Sequence, residues 1–398
     1  MSRTSYRPFF WSAAAAAAVG AFVFHPLERT ARGSPSDPGR PSPRGAWVEP
    51  RSEVAHEADL AARAAEAAAD WLERHQYFEG AWSARSYTQM CEGKVCLGRG
   101  ADEHDVGVTA LAAWALMESG LPVERVRPAA RRALAWLAAR QDEDGAFGPR
   151  AGKFMYGQAL ATLAFARGYH ILGEGIYKHH AGRGVRFLER ARNPDLAWRY
   201  GVRDGDNDAS VTGWVAAALL AAGAPEVGVE VDPRALEGAV RFLDRATDER
   251  HFGTSYTVRG GGSARLEGAG GRYEPNEGLT AGALWVRLKR GLDRDSFAAL
   301  AAARRLAGSL PVWTEDASSV DFAAWFAGTR ALAEYGDPEL WGVWSGRVER
   351  LLAGRQRRYY DGCLAGSWDP VDKWGSEGGR VYATAMNLRT LGVVRAGR

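Results

Sequence analysis

The chain has 398 residues, of which 46% are hydrophobic and 25% are charged, and its formal net charge at pH 7 is +3. This composition is typical of a globular protein with a large core. Lysines and arginines are interspersed with acids and form no basic block, so nucleic acid is excluded as the expected partner.

The N-terminus differs from the rest of the chain. Residues 1–8 are short and basic, 9–24 read FFWSAAAAAAVGAFVF, and 25–52 are rich in Pro, Ser, Gly and Arg. A helix over 9–24 would be about 24 Å long, somewhat less than the roughly 30 Å hydrocarbon core of a bilayer. We expect a short membrane anchor or a cleaved signal peptide, followed by a disordered linker. The remaining chain is then exported, either tethered to the membrane or, after cleavage, secreted.

A short motif recurs along the chain. WLERHQYFEGAW (71–82) and WLAARQDEDGAFG (136–148) share an apolar pair, a Gln, a Gly and an aromatic at equal offsets. Copies at 187–198 and 242–253 are more divergent, and LLAGRQRRYYDGCLAGSW (351–368) keeps the Gln and Gly-Ser-Trp. We interpret the motif as a structural joint. The Gln binds backbone groups at a helix end, the Gly permits a turn, and the aromatic packs beneath the neighbouring repeat.

Amphipathic helices alternate with helices that are small and apolar nearly all round, which must be buried on most sides. The last apolar helix, 379–394, lacks the polar face of a solenoid cap, which favours a closed ring. We predict an all-α fold, an α/α toroid of six helical hairpins with about twelve helices in inner and outer layers, over residues 53–396. The outer helices are expected near 53–76, 124–140, 177–192, 232–247, 293–308 and 338–356.

The motif resembles the QW repeat of squalene–hopene cyclases and the related repeat of prenyltransferase β subunits. The stretch GSWDPVDKWGSEGGRVYATAMNLRTLGV (366–393) resembles the last repeat of bacterial single-toroid prenyltransferase/squalene-oxidase-repeat proteins. The resemblance implies a central cavity for an isoprenoid or another apolar ligand. It also implies that an acid at the start of an inner helix could protonate a carbon–carbon double bond.

In such a ring the inner helices are parallel, and their N-termini meet at one mouth of the cavity. Polar residues that open these helices are therefore candidate site residues, although each acid is also a plausible helix N-cap. The mouth candidates are His104, Asp105, Tyr156, Asp206, Asp208, Glu277, Asp321, Arg380 and Tyr382. Trp214, Trp285 and Trp325 lie on inner helices and are the candidate cavity aromatics.

Asp206 and Asp208 are the candidate catalytic acids. Cyclases of this type carry Asp-x-Asp-Asp followed by Thr-Ala, whereas this chain reads DGDNDASVTGW (204–214). Asn207 interrupts the acid pair, so the question of catalysis stays open. If the protein is an enzyme, Asp105 or Glu277 would support the acid.

No metal site and no cofactor are expected. Asp361 and Cys363 match the Asp-x-Cys of prenyltransferase zinc sites, but no His follows residue 251. Cys91 and Cys96 are five residues apart and could form a local disulfide, which would leave Cys363 as a partly buried thiol.

Three functions remain in view. The first is a membrane-tethered toroid that binds an apolar small molecule or lipid, with or without cyclase activity. The second is a non-catalytic interaction protein, and the third is a carbohydrate-active toroid with paired acids. A narrow aromatic cavity would favour the binding of an apolar ligand, and a filled core would favour a non-catalytic interaction protein. A wide polar cleft would favour a carbohydrate-active toroid. The sequence does not indicate the oligomeric state.

Overall fold

A computed structural model describes residues 53–93, 95–194, 196–263 and 271–397. The described residues form twelve α-helices and three short 3₁₀-helices. The basic N-terminus, the apolar run 9–24 and the linker predicted at 25–52 lie outside them. Among the described helices, none is both long enough and apolar enough to cross a bilayer.

Outer and inner helices alternate along the chain, as predicted. The six outer helices are α1 (Glu53–Arg74), α3 (Val123–Ala138), α5 (Gly175–Ala191), α7 (Pro233–Ala246), α9 (Phe297–Gly308) and α11 (Pro338–Arg355). The six inner helices are α2 (Asp105–Met117), α4 (Phe154–Leu172), α6 (Ala209–Gly223), α8 (Gly278–Lys289), α10 (Phe322–Tyr335) and α12 (Gly375–Ala396).

The inner helices form a closed ring. Each packs against the next in chain order, and α12 packs against α2. In the outer layer, α1 contacts both α11 and α12, so the first hairpin is joined to the last. The predicted α/α toroid is therefore confirmed.

The motif glutamines connect successive outer helices. The side-chain amide of Gln76 donates to the carbonyl of Gly80 at 2.8 Å and to that of Ala129, in α3, at 2.9 Å. Gln356 makes the same pair of bonds where the ring closes. It donates to its own motif glycine and to Ala64 of α1, both at 2.8 Å. The last motif thus binds the first outer helix as the first and second motifs bind the outer helices that follow them.

The motif glycine and aromatic complete this joint. Gly366 has a φ of +94°, and a Cβ at that position would lie 2.0 Å from the carbonyl oxygen of Ala67 in α1. Only glycine accommodates both the left-handed backbone and this close approach. Trp368 is fully buried, and its indole N–H donates to the carbonyl of Leu352 at 2.9 Å.

A threonine on the inner helix belongs to the joint as well. The Thr109 hydroxyl accepts from the backbone N–H of Trp82 and donates to the carbonyl of the same residue, both at 3.0 Å. These bonds fix each loop to its inner helix. In three later repeats an equivalent threonine hydroxyl accepts from a backbone N–H of the preceding loop; these residues are Thr212, Thr280 and Thr384.

One expected joint residue needs correction. Trp136 is only half-buried, and the guanidinium of Arg140 lies over its ring at 3.5 Å from the centroid. The buried joint aromatic of that repeat is Phe147, which stacks on Phe165 of α4 with the ring centroids 5.4 Å apart.

Candidate functional site

The N-termini of the inner helices surround a small cavity, which we call the mouth cavity. Its volume is about 180 Å³, and it lies between the starts of α2, α4 and α12. Most of its wall is aliphatic and aromatic, and this part includes Val106, Leu111, Phe154, Leu160, Trp214, Trp374 and Met386. The indole N–H of Trp374 is buried without a hydrogen-bond partner among the described residues.

One end of the mouth cavity is polar. His104 Nε2 lies 2.5 Å from Glu377 Oε2, and Lys153 Nζ lies 3.3 Å from Glu377 Oε1. The hydrogen bond from His104 and the nearby charge of Lys153 lower the pKa of Glu377 to about 2. Glu103 is close enough to join His104 and Glu377 in a three-ligand set. However, His104 and Glu377 are in direct contact, which leaves no room for an ion between them. This end is better suited to polar groups of a ligand.

A second, smaller cavity adjoins the first. It has a volume of about 70 Å³, and Ser210, Trp214 and Trp374 line both cavities. Asp321 lines the smaller one, where its carboxylate lies 2.8 Å from Lys373 Nζ. Asp321 also accepts a hydrogen bond from the backbone N–H of Ala324, so it is an N-cap of α10. This candidate is therefore an ion-paired helix cap at the edge of the site.

An acid that the sequence analysis missed lies behind the mouth cavity. Asp372 is 2% exposed, and its Oδ2 accepts from the Tyr382 hydroxyl at 2.9 Å and from the Phe322 N–H at 3.1 Å. Its Oδ1 has no hydrogen-bond partner among the described residues. Burial, together with the nearby charge of Asp321, raises the pKa of Asp372 to about 7. Tyr382 lines the cavity and so connects this acid to it.

The two acids named from the DGDNDASVTGW stretch are placed differently. Asp206 is 71% exposed and pairs with Arg199 at 2.8 Å. Asp208 is fully buried as the N-cap of α6, and it accepts from the Val211 N–H at 2.7 Å and the Tyr256 hydroxyl at 3.2 Å. Burial raises the pKa of Asp208 to about 6. Neither side chain lines either cavity at this mouth.

The two supporting acids also point away from the cavities. Asp105 accepts from the backbone N–H of Ala84 at 2.8 Å, and burial raises its pKa to about 6. Glu277 pairs with Arg305 of α9 at 2.6 Å. Both bonds hold loops and helices together at the rim.

Tyr156 and Arg380 complete the predicted set. Tyr156 lines the mouth cavity and donates to the Ser210 hydroxyl at 2.9 Å. Burial keeps the pKa of Tyr156 well above its usual value. Arg380 is buried beneath the mouth, where it binds Asp369 at 2.6 Å and the Ser367 hydroxyl at 2.9 Å. Of the nine mouth candidates, His104, Tyr156 and Tyr382 line the mouth cavity.

Aromatic rings fill the centre of the toroid. Trp214 and Phe326 stack with centroids 6.0 Å apart, and Trp114 meets both rings edge-on. Trp214 lines the mouth cavity, as expected for a cavity aromatic, whereas Trp285 lines a cavity at the opposite end. Trp325 lines none of the three cavities and packs against its aromatic neighbours.

The cavity at the opposite end is larger, at about 1020 Å³, and is lined by charged residues from the C-terminal ends of the inner helices. Glu118 pairs there with Arg167 and Arg389, and Lys289 lies 2.6 Å from Glu334. Basic side chains at helix C-termini offset the negative end of the helix dipole. Several of the charges in this cavity thus form ion pairs, whereas the mouth cavity has a mostly apolar wall, and we take the mouth cavity as the candidate site for an apolar ligand.

The three cysteines meet one histidine where the ring closes. We call His75, Cys91, Cys96 and Cys363 the seam cluster. The three thiols are free, and His75 Nε2 lies 3.6 Å from Sγ of Cys91, 3.7 Å from that of Cys96 and 3.3 Å from that of Cys363. The expected Cys91–Cys96 disulfide is thus not formed in the structure. Cys363, which was expected to lie apart from this pair, belongs to the same cluster. The sequence analysis missed the cluster because His75, which directly follows α1, is far from Cys363 in the sequence.

Comparisons with known proteins support the fold. No protein family model and no curated protein match the chain. Among solved structures, a variant of the type II terpene cyclase MstE from Scytonema in complex with its product, merosterolic acid A, is 16% identical, with a TM-score of 0.58 over 87% of this chain and 100% of that one. A variant α-1,6-mannanase of Salegentibacter sp. HEL1_6 in complex with α-1,6-mannotriose is 12% identical, with a TM-score of 0.56 over 86% and 100%.

An α-amylase from Clostridium perfringens is also similar, at 11% identity and a TM-score of 0.53 over 83% of this chain and 97% of that one. The same fold thus carries a cyclase that acts on a prenylated substrate and enzymes that act on glycans. At these identities the similarity extends to architecture and not to chemistry. The chain has the α/α toroid fold that terpene cyclases and glycan-processing enzymes share.

Proposed function

We propose that the protein binds a slender apolar ligand of the isoprenoid class in the mouth cavity. The proposal rests on the composition of the cavity wall. Aliphatic and aromatic side chains line most of it, and the polar groups His104, Lys153 and Glu377 lie at one end. Ligand sites commonly combine an apolar wall with a few fixed polar groups. A prenyl chain with one polar terminus would place its hydrocarbon part against the apolar wall and its polar group at the end formed by His104, Lys153 and Glu377.

The cavity size supports a narrow ligand. Pockets for drug-sized ligands usually have volumes of about 300–1,000 Å³, whereas this cavity has about 180 Å³. Trp214 and Trp374 line both this cavity and the smaller one, so a ligand longer than the mouth cavity would have to displace side chains at this shared wall.

The arrangement of the acids at this mouth is less suited to glycan hydrolysis than the cavity wall is to an apolar ligand. Glycosidases generally need one carboxyl as a proton donor and a second, unencumbered carboxylate across the scissile bond. Here Glu377 is held by His104 and Lys153, and Asp321 is held by Lys373, which leaves Glu103 as a single exposed carboxylate rather than a pair across the cavity.

Filling the cavity tests the binding proposal. Leu160→Trp should block it, and Leu220→Trp is the matched control because Leu220 lines only the opposite cavity. Isothermal titration with prenyl alcohols of increasing length should show binding to the wild type and to the control, with a negative heat-capacity change. Binding by Leu160→Trp as tight as by the wild type, or binding of oligosaccharides in place of prenyl alcohols, would contradict the proposal.

A second candidate function is acid catalysis through Asp372 and Tyr382. Because the pKa of Asp372 is about 7, a large share of this carboxyl is protonated at neutral pH. In the proposed step the Tyr382 proton passes to an alkene carbon, and the π-electron pair forms the new C–H bond. At the same time Asp372, protonated on Oδ2, passes its proton to the Tyr382 oxygen, so this hydrogen bond runs in the direction opposite to that of the ionised form. The resulting cation, directly or after ring closure, loses a proton to water, and Asp372 regains a proton from solvent, which completes an isomerisation or cyclisation and restores the acid. Trp214 and Trp374 line the cavity and could stabilise that cation through their ring faces.

Product formation on a panel of prenyl substrates tests this step. Asp372→Asn and Tyr382→Phe should both abolish turnover and leave ligand binding intact. Asp208→Asn is the informative comparison, since Asp208 is the acid named from the sequence. If Asp208→Asn abolishes turnover and Asp372→Asn does not, the acid is the N-cap of α6. A wild type that is inert on the whole panel but still binds prenyl alcohols would identify a non-catalytic binding protein.

A further inference from the structure

The seam cluster has the composition of a structural metal site. It provides one imidazole nitrogen and three thiol sulfurs, and these four atoms lie within 4.8 Å of one another. His75 and Cys96 are buried, and Cys91 and Cys363 are half-buried. Three cysteines and one histidine form one of the common ligand sets of structural zinc. We propose that His75, Cys91, Cys96 and Cys363 bind one zinc ion.

The distances fit tetrahedral coordination. With Zn–S bonds of about 2.3 Å and a Zn–N bond of about 2.0–2.1 Å, tetrahedral geometry places nitrogen and sulfur roughly 3.6 Å apart. The three observed separations from His75 Nε2 are 3.6, 3.7 and 3.3 Å. All four positions are filled by protein ligands, which is characteristic of a structural site.

The groups around the cluster orient its ligands. His75 Nδ1 lies 2.8 Å from the carbonyl oxygen of Trp71, which fixes the tautomer that leaves Nε2 free to bind a metal. The His75 ring also stacks on Trp71 with the centroids 4.1 Å apart. The backbone N–H of Cys96 donates to the sulfur of Cys91 at 3.3 Å. Metal-ligating histidines commonly have such a carbonyl partner on the second ring nitrogen.

The cluster joins the two ends of the toroid. His75 directly follows α1, Cys91 and Cys96 lie in the loop before α2, and Cys363 lies in the loop before α12. An ion at this position would link the first repeat to the last. Asp361 does not belong to the cluster, and its carboxylate accepts from the backbone N–H of Arg358 at 2.6 Å. The zinc therefore stabilises ring closure and is separate from the mouth cavity. Its binding releases the thiol protons to solvent and needs no oxidant.

Metal analysis of the full-length protein tests the proposal. Purified under reducing conditions without chelator, the wild type should contain about one zinc ion per chain, as expected for a single four-ligand site. Cys363→Ser should lose the zinc and melt at a lower temperature. His179→Gln, which changes an exposed histidine on α5, should retain both the metal and the melting temperature. A strong chelator should lower the melting temperature of the wild type, and added zinc should restore it.

Cobalt substitution provides a measurement that does not depend on the variants folding. Wild type refolded with Co²⁺ should show the visible bands of tetrahedral cobalt and the near-ultraviolet absorption of thiolate ligands. The proposal is overturned if wild type refolded with excess zinc holds no more metal than the buffer blank. It is also overturned if Cys363→Ser keeps its zinc, or if intact mass shows a Cys91–Cys96 disulfide in protein prepared without air.

Discussion

Replacing Gln76 with alanine should destabilise the toroid by about 2–3 kcal/mol. The side-chain amide makes two buried hydrogen bonds, one to Gly80 within its own motif and one to Ala129 of the next outer helix. Each such bond contributes about 0.5–1.5 kcal/mol net, and a buried carbonyl that loses its donor costs somewhat more. The Gln76 carbonyl also accepts from Arg132, but that arginine is exposed, so this contact adds little.

Urea unfolding followed by far-ultraviolet circular dichroism measures this loss. The midpoint should fall with an unchanged denaturant dependence, which indicates an unaltered unfolded state. Gln141→Ala is the matched control. Gln141 is half-buried and its amide donates over longer distances, of 3.3 and 3.1 Å, while its carbonyl oxygen lies 2.6 Å from His180 Nδ1, so its replacement should cost less than that of Gln76, about 1–1.5 kcal/mol. If Gln76→Ala costs less than about 0.5 kcal/mol, the motif glutamine does not join the repeats.

Other substitutions test the joint and the buried acid. Gly366→Ala should destabilise by more than the roughly 1–2 kcal/mol of a left-handed residue, because its Cβ would also meet the carbonyl of Ala67, and thermal melting would show the loss. Trp198→Ala should cost about 3–5 kcal/mol in urea unfolding, since the ring is fully buried; a loss below about 1 kcal/mol would contradict its role. The raised pKa of Asp372 contributes stability that is complete below about pH 4 and is lost as the pH rises past about 7. Midpoints measured across this range should fall less steeply for Asp372→Asn than for the wild type, and parallel curves would contradict the assignment.

The sequence was sufficient to predict the fold because the same local joint is repeated. In the strong copies the Gln amide binds its own motif Gly and the next outer helix, and the alternation of amphipathic and apolar helices in the sequence indicates the two layers. The contact of Gln356 with Ala64, which the sequence analysis did not predict, repeats the same joint where the ring closes. The inner threonines, such as Thr109, were not recognised because their partners are backbone groups of the preceding loop, which sequence periodicity does not identify.

The site could be predicted only in part. Acids at helix starts were correctly recognised as potential N-caps, and Asp208 and Asp321 both cap their helices. Asp372 was overlooked because it lies in the loop before α12, and its raised pKa depends on burial. The seam cluster joins residues almost three hundred positions apart. Such a contact depends on ring closure, which brings the ends of the chain together.

Native mass spectrometry of the full-length protein, incubated with a prenyl alcohol, tests the central claim most directly. The wild type should carry one bound prenyl molecule, and Leu160→Trp, whose added ring fills the mouth cavity, should carry none under the same conditions. Retention of the ligand by Leu160→Trp, or its absence from a folded wild type, would contradict the proposal that this cavity binds an isoprenoid.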